Sequence, residues 1–279
     1  MTQIDLKMAM NAISDVIANR PPPLRQFDQI YMKAGDMVMQ AEFVAQWADG
    51  KRLCFIGDGD GIGISAALLK HRGIYGYGPE RVTVLDFDER IVNSVNRIAD
   101  KERMKDGVLE ARTYNALDAL PDDLAEYDCF YTNPPWGQYN EGRSVDVFVQ
   151  RGMEAISNRG EGLIVIAGDL DLAWPASVLS NVQRNAAAQG FFVGRMQPGL
   201  HLYHLDDAPD LRSCNLVIRS LPGNAVQRHS EPIRDPARLE DFYGRAQGPR
   251  VRYVVDRQPM NYNKAGDSTY GFAGWEDET

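Results

Sequence analysis

The sequence is short of several things, and each shortage removes a class of function. Three cysteines stand in 279 residues, Cys54, Cys129 and Cys214, each alone inside an apolar run. They have neither the number nor the spacing of a disulfide framework or a zinc site, and they read as reduced core thiols. No apolar stretch approaches the roughly 18 residues that cross a bilayer, and the opening MTQIDLKMAM lacks a basic-then-apolar leader pattern. A cytoplasmic chain with no membrane partner is expected. Basic residues are in deficit: 30 Lys and Arg against 39 Asp and Glu leave a net charge of -9. No basic face of the kind that grips a nucleic-acid backbone is evident, so a nucleic-acid partner is disfavoured and a cationic one favoured. Repeats and low-complexity tracts are absent, and 44% hydrophobic residues exclude global disorder. A homodimer stays open.

What is present centres on residues 51–69, KRLCFIGDGDGIGISAALL. Leu53 to Ile56 form a short apolar run, as in a strand buried on both faces. The turn Gly57-Asp58-Gly59-Asp60-Gly61 follows, and then a helix-forming stretch. Strand, glycine turn and helix in this order make a nucleotide site, because glycine lets the backbone approach a ligand closely. The next strand, 82–88, ends in Asp86 and Asp88, roughly the 20 residues downstream at which a carboxylate meets a ribose. One of the two is expected on the ribose, the other as cap of the following helix.

The rest of the chain alternates. Helices are expected at 4–19 and 35–47, with Met8 and Met39 among the inward residues, separated by a polar and aromatic loop at 26–31 that either covers the ligand or packs on the sheet. Further helices are expected at 89–105, 145–156 and 176–189, and strands at 108–113, 127–132, 162–167, 191–196 and 215–221. Repeated strand–helix units imply a doubly wound, mostly parallel α/β sheet. Ending it on a two-strand hairpin at one edge matches the class I S-adenosylmethionine-dependent transferase arrangement, a Rossmann-like sheet of seven strands with a short N-terminal helical segment. The expected organisation is 1–50 as helical segment or lid, 51–222 as catalytic domain and 223–279 as an extension. Within that extension a helix is expected at 231–244, a strand at 251–255, and a loose tail from 258 onward.

Asn133-Pro134-Pro135-Trp136 is the sharpest motif, placed where the fourth strand ends. The prolines fix the backbone, the Asn oxygen can accept from an amine, and the indole offers a flat wall or a cation–π face. Asp58 and Asp60 suit a sulfonium or an ammonium better than a phosphate, and either could take a proton from an amine. Asn115 and Asp118 follow the third strand, where they meet an adenine amino group or simply make an Asx turn. His201, His204, Asp206 and Asp207 look like a metal cluster but lack a supporting partner, so no metal is expected.

The 57–60 turn, the run Asp86-Phe87-Asp88-Glu89-Arg90 and Asn133-Pro134-Pro135-Trp136 together resemble the N4-bis(aminopropyl)spermidine synthases, the branched-chain polyamine synthase family. The resemblance spans about 53–221. Two departures stand out: Gly59 replaces the middle carboxylate of the family's Gly-Asp-Asp-Asp turn, and Asn133 replaces the Asp of Asp-Pro-Pro. The resemblance implies aminopropyl transfer from decarboxylated S-adenosylmethionine, as co-substrate, to a polyamine-like amine. It implies Asn133, Pro134, Trp136, Asp58 and Asp60 in catalysis. Gly57, Gly59, Gly61, Asp86, Asp88, Asn115 and Asp118, with the two turn carboxylates, would hold the donor. Asn-Pro-Pro-aromatic is also the amino-methyltransferase form, which leaves methyl transfer from intact S-adenosylmethionine as the alternative. A non-catalytic nucleotide-binding module is the reading from another class.

Overall fold

The structure is a computed structural model describing residues 5–124, 126–224, 229–258 and 269–275. It divides into two compact units. The first holds Met1–Pro23, Tyr31–Asn115 and Arg250–Thr279; the second holds Leu24–Ile30 and Ala116–Pro249.

In the first unit, α1 (Leu6–Asn19) starts at Asp5, whose carboxylate accepts the Met8 N–H at 3.0 Å. It buries Ala9, Ala12, Ile13 and Val16, while Met8 is exposed. Helix α2 (Ala34–Trp47) buries Met37, Val38, Ala41, Val44 and Ala45. That stripe repeats every three to four residues from Met37, so Met39 falls outside it and is exposed, contrary to expectation. Strands β1 (Arg52–Ile56), β2 (Arg81–Asp86) and β3 (Leu109–Thr113) run parallel. Helices α3 (Ile62–His71) and α4 (Glu89–Lys101) connect them.

The second unit contributes β4 (Cys129–Thr132), α5 (Arg143–Ala155), β5 (Glu161–Ala167), α6 (Ala173–Ala188), β6 (Phe191–Gln197) and β7 (Ser213–Ser220). β4 and β5 are parallel, and β7 inserts antiparallel between β5 and β6. The seven strands are ordered β3-β2-β1-β4-β5-β7-β6. This is the mostly parallel sheet with a hairpin edge that the strand spacing implies. All three cysteines are buried thiols outside any disulfide. Edge strand β6 is bulged between Val193 and Arg195, and Phe192 to Met196 are all exposed.

The helix expected at 231–244 shrinks to the single turn α7 (Pro236–Leu239). The chain before it is bonded elsewhere: the Glu231 carbonyl accepts from the buried Arg151 guanidinium at 2.7 Å, and the Ile233 N–H bonds the Leu117 carbonyl at 2.8 Å. Those groups are lost to a helical ladder. The loose tail also needs correction. Strand β8 (Tyr253–Asp256) pairs antiparallel with β9 (Tyr270–Ala273). Its Val254 N–H bonds the Phe87 carbonyl at 3.0 Å, and Glu89 accepts the Asp256 N–H at 2.9 Å. Tail residues 259–268 and 276–279 lie outside the described residues. Among the described residues no helix is long and apolar enough to cross a membrane.

The entry to α3 demands glycine. Gly61 has φ +76°, and a Cβ there would sit 2.8 Å from Val16 Cγ1. Gly61→Ala therefore meets left-handed strain and a side-chain clash, costing about 1–3 kcal/mol. A lowered melting temperature by calorimetry is the expected result; an unchanged one would mean that the turn relaxes freely.

Candidate active site

The glycine turn of the first unit is built around carboxylates facing inward. Asp58, Asp60, Asp86 and Asp88 are all buried, so neither turn carboxylate simply faces water. Asp58 caps α3, accepting the Ile62 and Gly63 N–H groups at 2.8 and 2.9 Å. Asp60 accepts the Met32 N–H at 2.6 Å. The Arg20 guanidinium donates to the Asp60 carbonyl at 2.8 Å and lies 4.1 Å from the centre of the Tyr31 ring. The Tyr31 ring also passes close to Gly59, where a Cβ would stand 3.3 Å from it.

Asp86 joins the turn to the next crossover. One oxygen accepts the Asp58 N–H at 3.0 Å and the other the Asp88 N–H at 2.9 Å. Burial and the Asp88 charge push its carboxyl up to about 7, against the pull of those two donors. Burial likewise raises Asp58 well above the usual carboxylate range; the Gly63 and Ile62 N–H groups oppose it, and Asp60 and Asp86 add to it. Asp88 takes the capping role: it accepts the Arg90 N–H at 3.0 Å and pairs with that guanidinium at 2.6 Å. Asn115 donates to the Arg252 carbonyl at 2.6 Å, which fixes its amide orientation. Gly57 also has positive φ, and its N–H bonds the Leu85 carbonyl at 2.8 Å.

In the second unit, Asn133 leaves the end of β4 with both ends of its amide engaged. Its Nδ2 donates to Tyr203 Oη at 3.3 Å, and its Oδ1 accepts from Trp136 Nε1 at 3.1 Å. Trp136 and Tyr203 close the triangle edge to face, with ring centres 5.0 Å apart. Pro134 is buried beside them. Ser144 donates to the Pro135 carbonyl at 3.2 Å, which ties the motif to the start of α5. Asp118 is half-buried in the loop after β3. His201 is buried with Nδ1 2.9 Å from Ser213 Oγ, and no cluster of three or more metal-ligating side chains occurs among the described residues.

Sequence reasoning missed four participants. Tyr203 lies in a loop read only for its histidines. Arg20 directly follows the helix expected at 4–19 and belongs to no motif. Arg90 was noted only in a motif, not as the buried partner of Asp88. Asp28 lies in the loop at 26–31; burial pushes its carboxyl up to about 6, against a downward pull from the Trp136 backbone N–H. A polar loop without periodicity carries no signal for such burial.

A seven-stranded sheet in this order, with its glycine turn after the first strand and an acidic end to the second, defines the class I S-adenosylmethionine-dependent transferase fold. Within it, residues 9–261 match the model of the branched-chain polyamine synthase A C-terminal domain, and the chain belongs to that family. It is 29% identical over 187 residues to the N(4)-bis(aminopropyl)spermidine synthase of Thermus thermophilus, which covers 66% of this chain and 50% of that one. The enzyme of the same name from Thermococcus kodakarensis is 27% identical over 54% of this chain and 40% of its own. The chain thus spans half or less of the length of these relatives. The crystal structure of the Thermus thermophilus branched-chain polyamine synthase superposes with a TM-score of 0.67 at 21% identity, covering 85% of this chain and 70% of that one.

The raised Asp86 carboxyl has a consequence for stability. Its folded value, about 7, exceeds the ordinary 3.8, so the folded state holds this proton more tightly. The stability it contributes is present below the unfolded pKa and is lost as pH rises through the folded one. Relative to Asp86→Asn, the ligand-free wild type should lose melting temperature between about pH 4 and about pH 8. Parallel calorimetric curves for the two proteins would contradict this.

Proposed function

We propose that this chain transfers an aminopropyl group from decarboxylated S-adenosylmethionine to the nitrogen of a polyamine. The observation that carries this reading is the charge balance of the buried acidic cluster. Four carboxylates, Asp58, Asp60, Asp86 and Asp88, stand against two guanidiniums, Arg20 and Arg90. Burial raises Asp58 and Asp86 above the usual carboxylate range, so these two would give up protons to meet a donor bearing a sulfonium and a primary ammonium. Intact S-adenosylmethionine carries an additional carboxylate, which this cluster would repel. The family membership agrees, as does the Thermus thermophilus structure, which is a complex with N4-aminopropylspermidine and 5'-methylthioadenosine.

In this reading the glycine turn and the ends of β2 and β3 bind the donor. Gly57, Gly59 and Gly61 let the backbone approach it, Asp86 takes the ribose hydroxyls, and Asn115 and Asp118 meet the adenine. Asp58 and Asp60 supply the field for its cationic end. The motif after β4 orients the acceptor: Asn133 Oδ1 accepts an amine hydrogen, Pro134 fixes the backbone, and the Trp136 face lines the cation. The amine lone pair attacks the methylene carbon next to sulfur. A C–N bond forms, the C–S electrons return to sulfur as the neutral thioether leaves, and the nitrogen sheds one proton. The sulfonium is already activated, so alignment supplies most of the rate. Methyl transfer to an amine is the second reading, favoured by Asn rather than Asp at 133.

Titration calorimetry tests donor choice. Binding of 5'-methylthioadenosine and the decarboxylated donor, with S-adenosylhomocysteine and S-adenosylmethionine weaker, is expected. The reverse order would establish methyl transfer, and no binding at all would sink both. Asn133→Ala should keep 5'-methylthioadenosine affinity within about threefold and lower turnover by about 100-fold, the scale for removing one preorganised polar group. Undiminished activity in that variant would end the catalytic reading of the motif.

A further inference from the structure

The loop that leaves Asn133-Pro134-Pro135-Trp136 carries an exposed aromatic ring, and a cation of the chain already rests on it. After Trp136 the chain folds back at once: the Gly137 carbonyl accepts the Asn140 N–H at 3.3 Å and the Gly142 N–H at 3.0 Å. Gly137 has φ +71°, and a Cβ there would stand 2.6 Å from the Gly142 Cα, so the loop closes only with glycine in that place. Tyr139 lies at its tip with 46% of its surface exposed. Even a fully extended chain could set the Tyr139 Cα no more than about 11 Å from that of Trp136, and this loop is not extended. The covalent chain itself keeps the ring within reach of the motif.

A second loop, 240–246, packs beside this one. The Glu240 and Asp241 carbonyls each accept from Asn140 Nδ2 at 3.4 Å, and the Asp241 carboxylate accepts the Ala246 N–H at 2.5 Å. Between these anchors, the Arg245 guanidinium carbon stands 5.2 Å from the centre of the Tyr139 ring, inside the range of a cation–π contact. Arg245 is exposed and makes no hydrogen bond or ion pair among the described residues. Its charge rests on an aromatic face rather than on a carboxylate, which marks that face as one that attracts a cation. A contact of this kind, made by a flexible exposed side chain, is weak enough to exchange.

A polyamine carries several ammonium groups separated by a few methylenes. When one nitrogen reacts at Asn133, its neighbours stay charged and need a place nearby. Asn133, Pro134, Pro135 and Trp136 carry no formal charge, whereas an aromatic face holds an ammonium without one. We propose that Tyr139 is a second acceptor subsite: its ring binds an unreacting ammonium of the polyamine, and Arg245 occupies the ring until substrate displaces it. The inference rests on the aminopropyl-transfer reading and locates the acceptor's remaining charge. One cation replaces another on the same exposed ring, so the exchange buries no unpaired charge. An acceptor with two separated ammonium groups is thereby favoured over one with a single charge.

Spermidine kinetics at saturating decarboxylated donor test this in three variants, with calorimetric binding of 5'-methylthioadenosine as the control. Tyr139→Ala should raise the spermidine KM about two- to fivefold, the worth of one exposed cation–π contact, and leave kcat and 5'-methylthioadenosine affinity within about twofold. Tyr139→Phe keeps the ring and should keep the wild-type KM. Arg245→Ala removes the competing cation and should lower KM, by up to about fivefold. An unchanged KM in either alanine variant would overturn the subsite and leave aminopropyl transfer standing. So would a KM raised alike in both, which would make the pair a structural clasp, or a Tyr139→Phe value as high as that of Tyr139→Ala. Loss of 5'-methylthioadenosine binding in Tyr139→Ala would also overturn it, by showing a structural role only. No transfer and no 5'-methylthioadenosine binding by the wild type would bring down the underlying reading, and this one with it.

Discussion

Much of the glycine-turn end of the sheet depends on one buried side chain, the carboxylate of Asp86. Its two oxygens receive the N–H groups of Asp58 and Asp88, so a single group fixes the start of the glycine turn and the start of the α4 crossover. The sheet supports it from below, with Leu85 paired to Ile56 and Asp86 to Thr113. Holding a carboxylate in so dry a place is costly unless a positive charge arrives. The fold retains that cost in its ligand-free state, and a cationic donor would relieve it.

The motif Asn133-Pro134-Pro135-Trp136 works on a different principle. Prolines, an indole and a phenol make it stiff rather than charged, and the hydrogen bonds among Asn133, Trp136 and Tyr203 leave little rotational freedom. Such a site holds geometry well and holds charge poorly.

The sheet was legible because buried parallel strands leave continuous apolar runs such as 53–56 and 162–167. The glycine turn and Asn133-Pro134-Pro135-Trp136 were legible because both constrain the backbone through residue type. Other features depend on tertiary partners that no local pattern records. Met39 was assigned to the wrong side because one apolar residue cannot fix the phase of a helix whose stripe begins at Met37. The stretch 231–244 has helical composition, yet Arg151 and Leu117 take its backbone groups. Tyr270–Ala273 sits among glycines and polar residues, and it becomes a strand only because β8 offers a ladder.

The bulged edge of β6 bears on how this chain behaves when concentrated. Five consecutive exposed residues, Phe192 and Met196 among them, would offer a template to any passing extended segment. The shift between Val193 and Arg195 breaks that template in the middle, so an incoming strand finds matching register for only a few residues on either side. Arg195 adds a charge at the break. An apolar rim is thereby kept open to water without becoming a seed for fibrils.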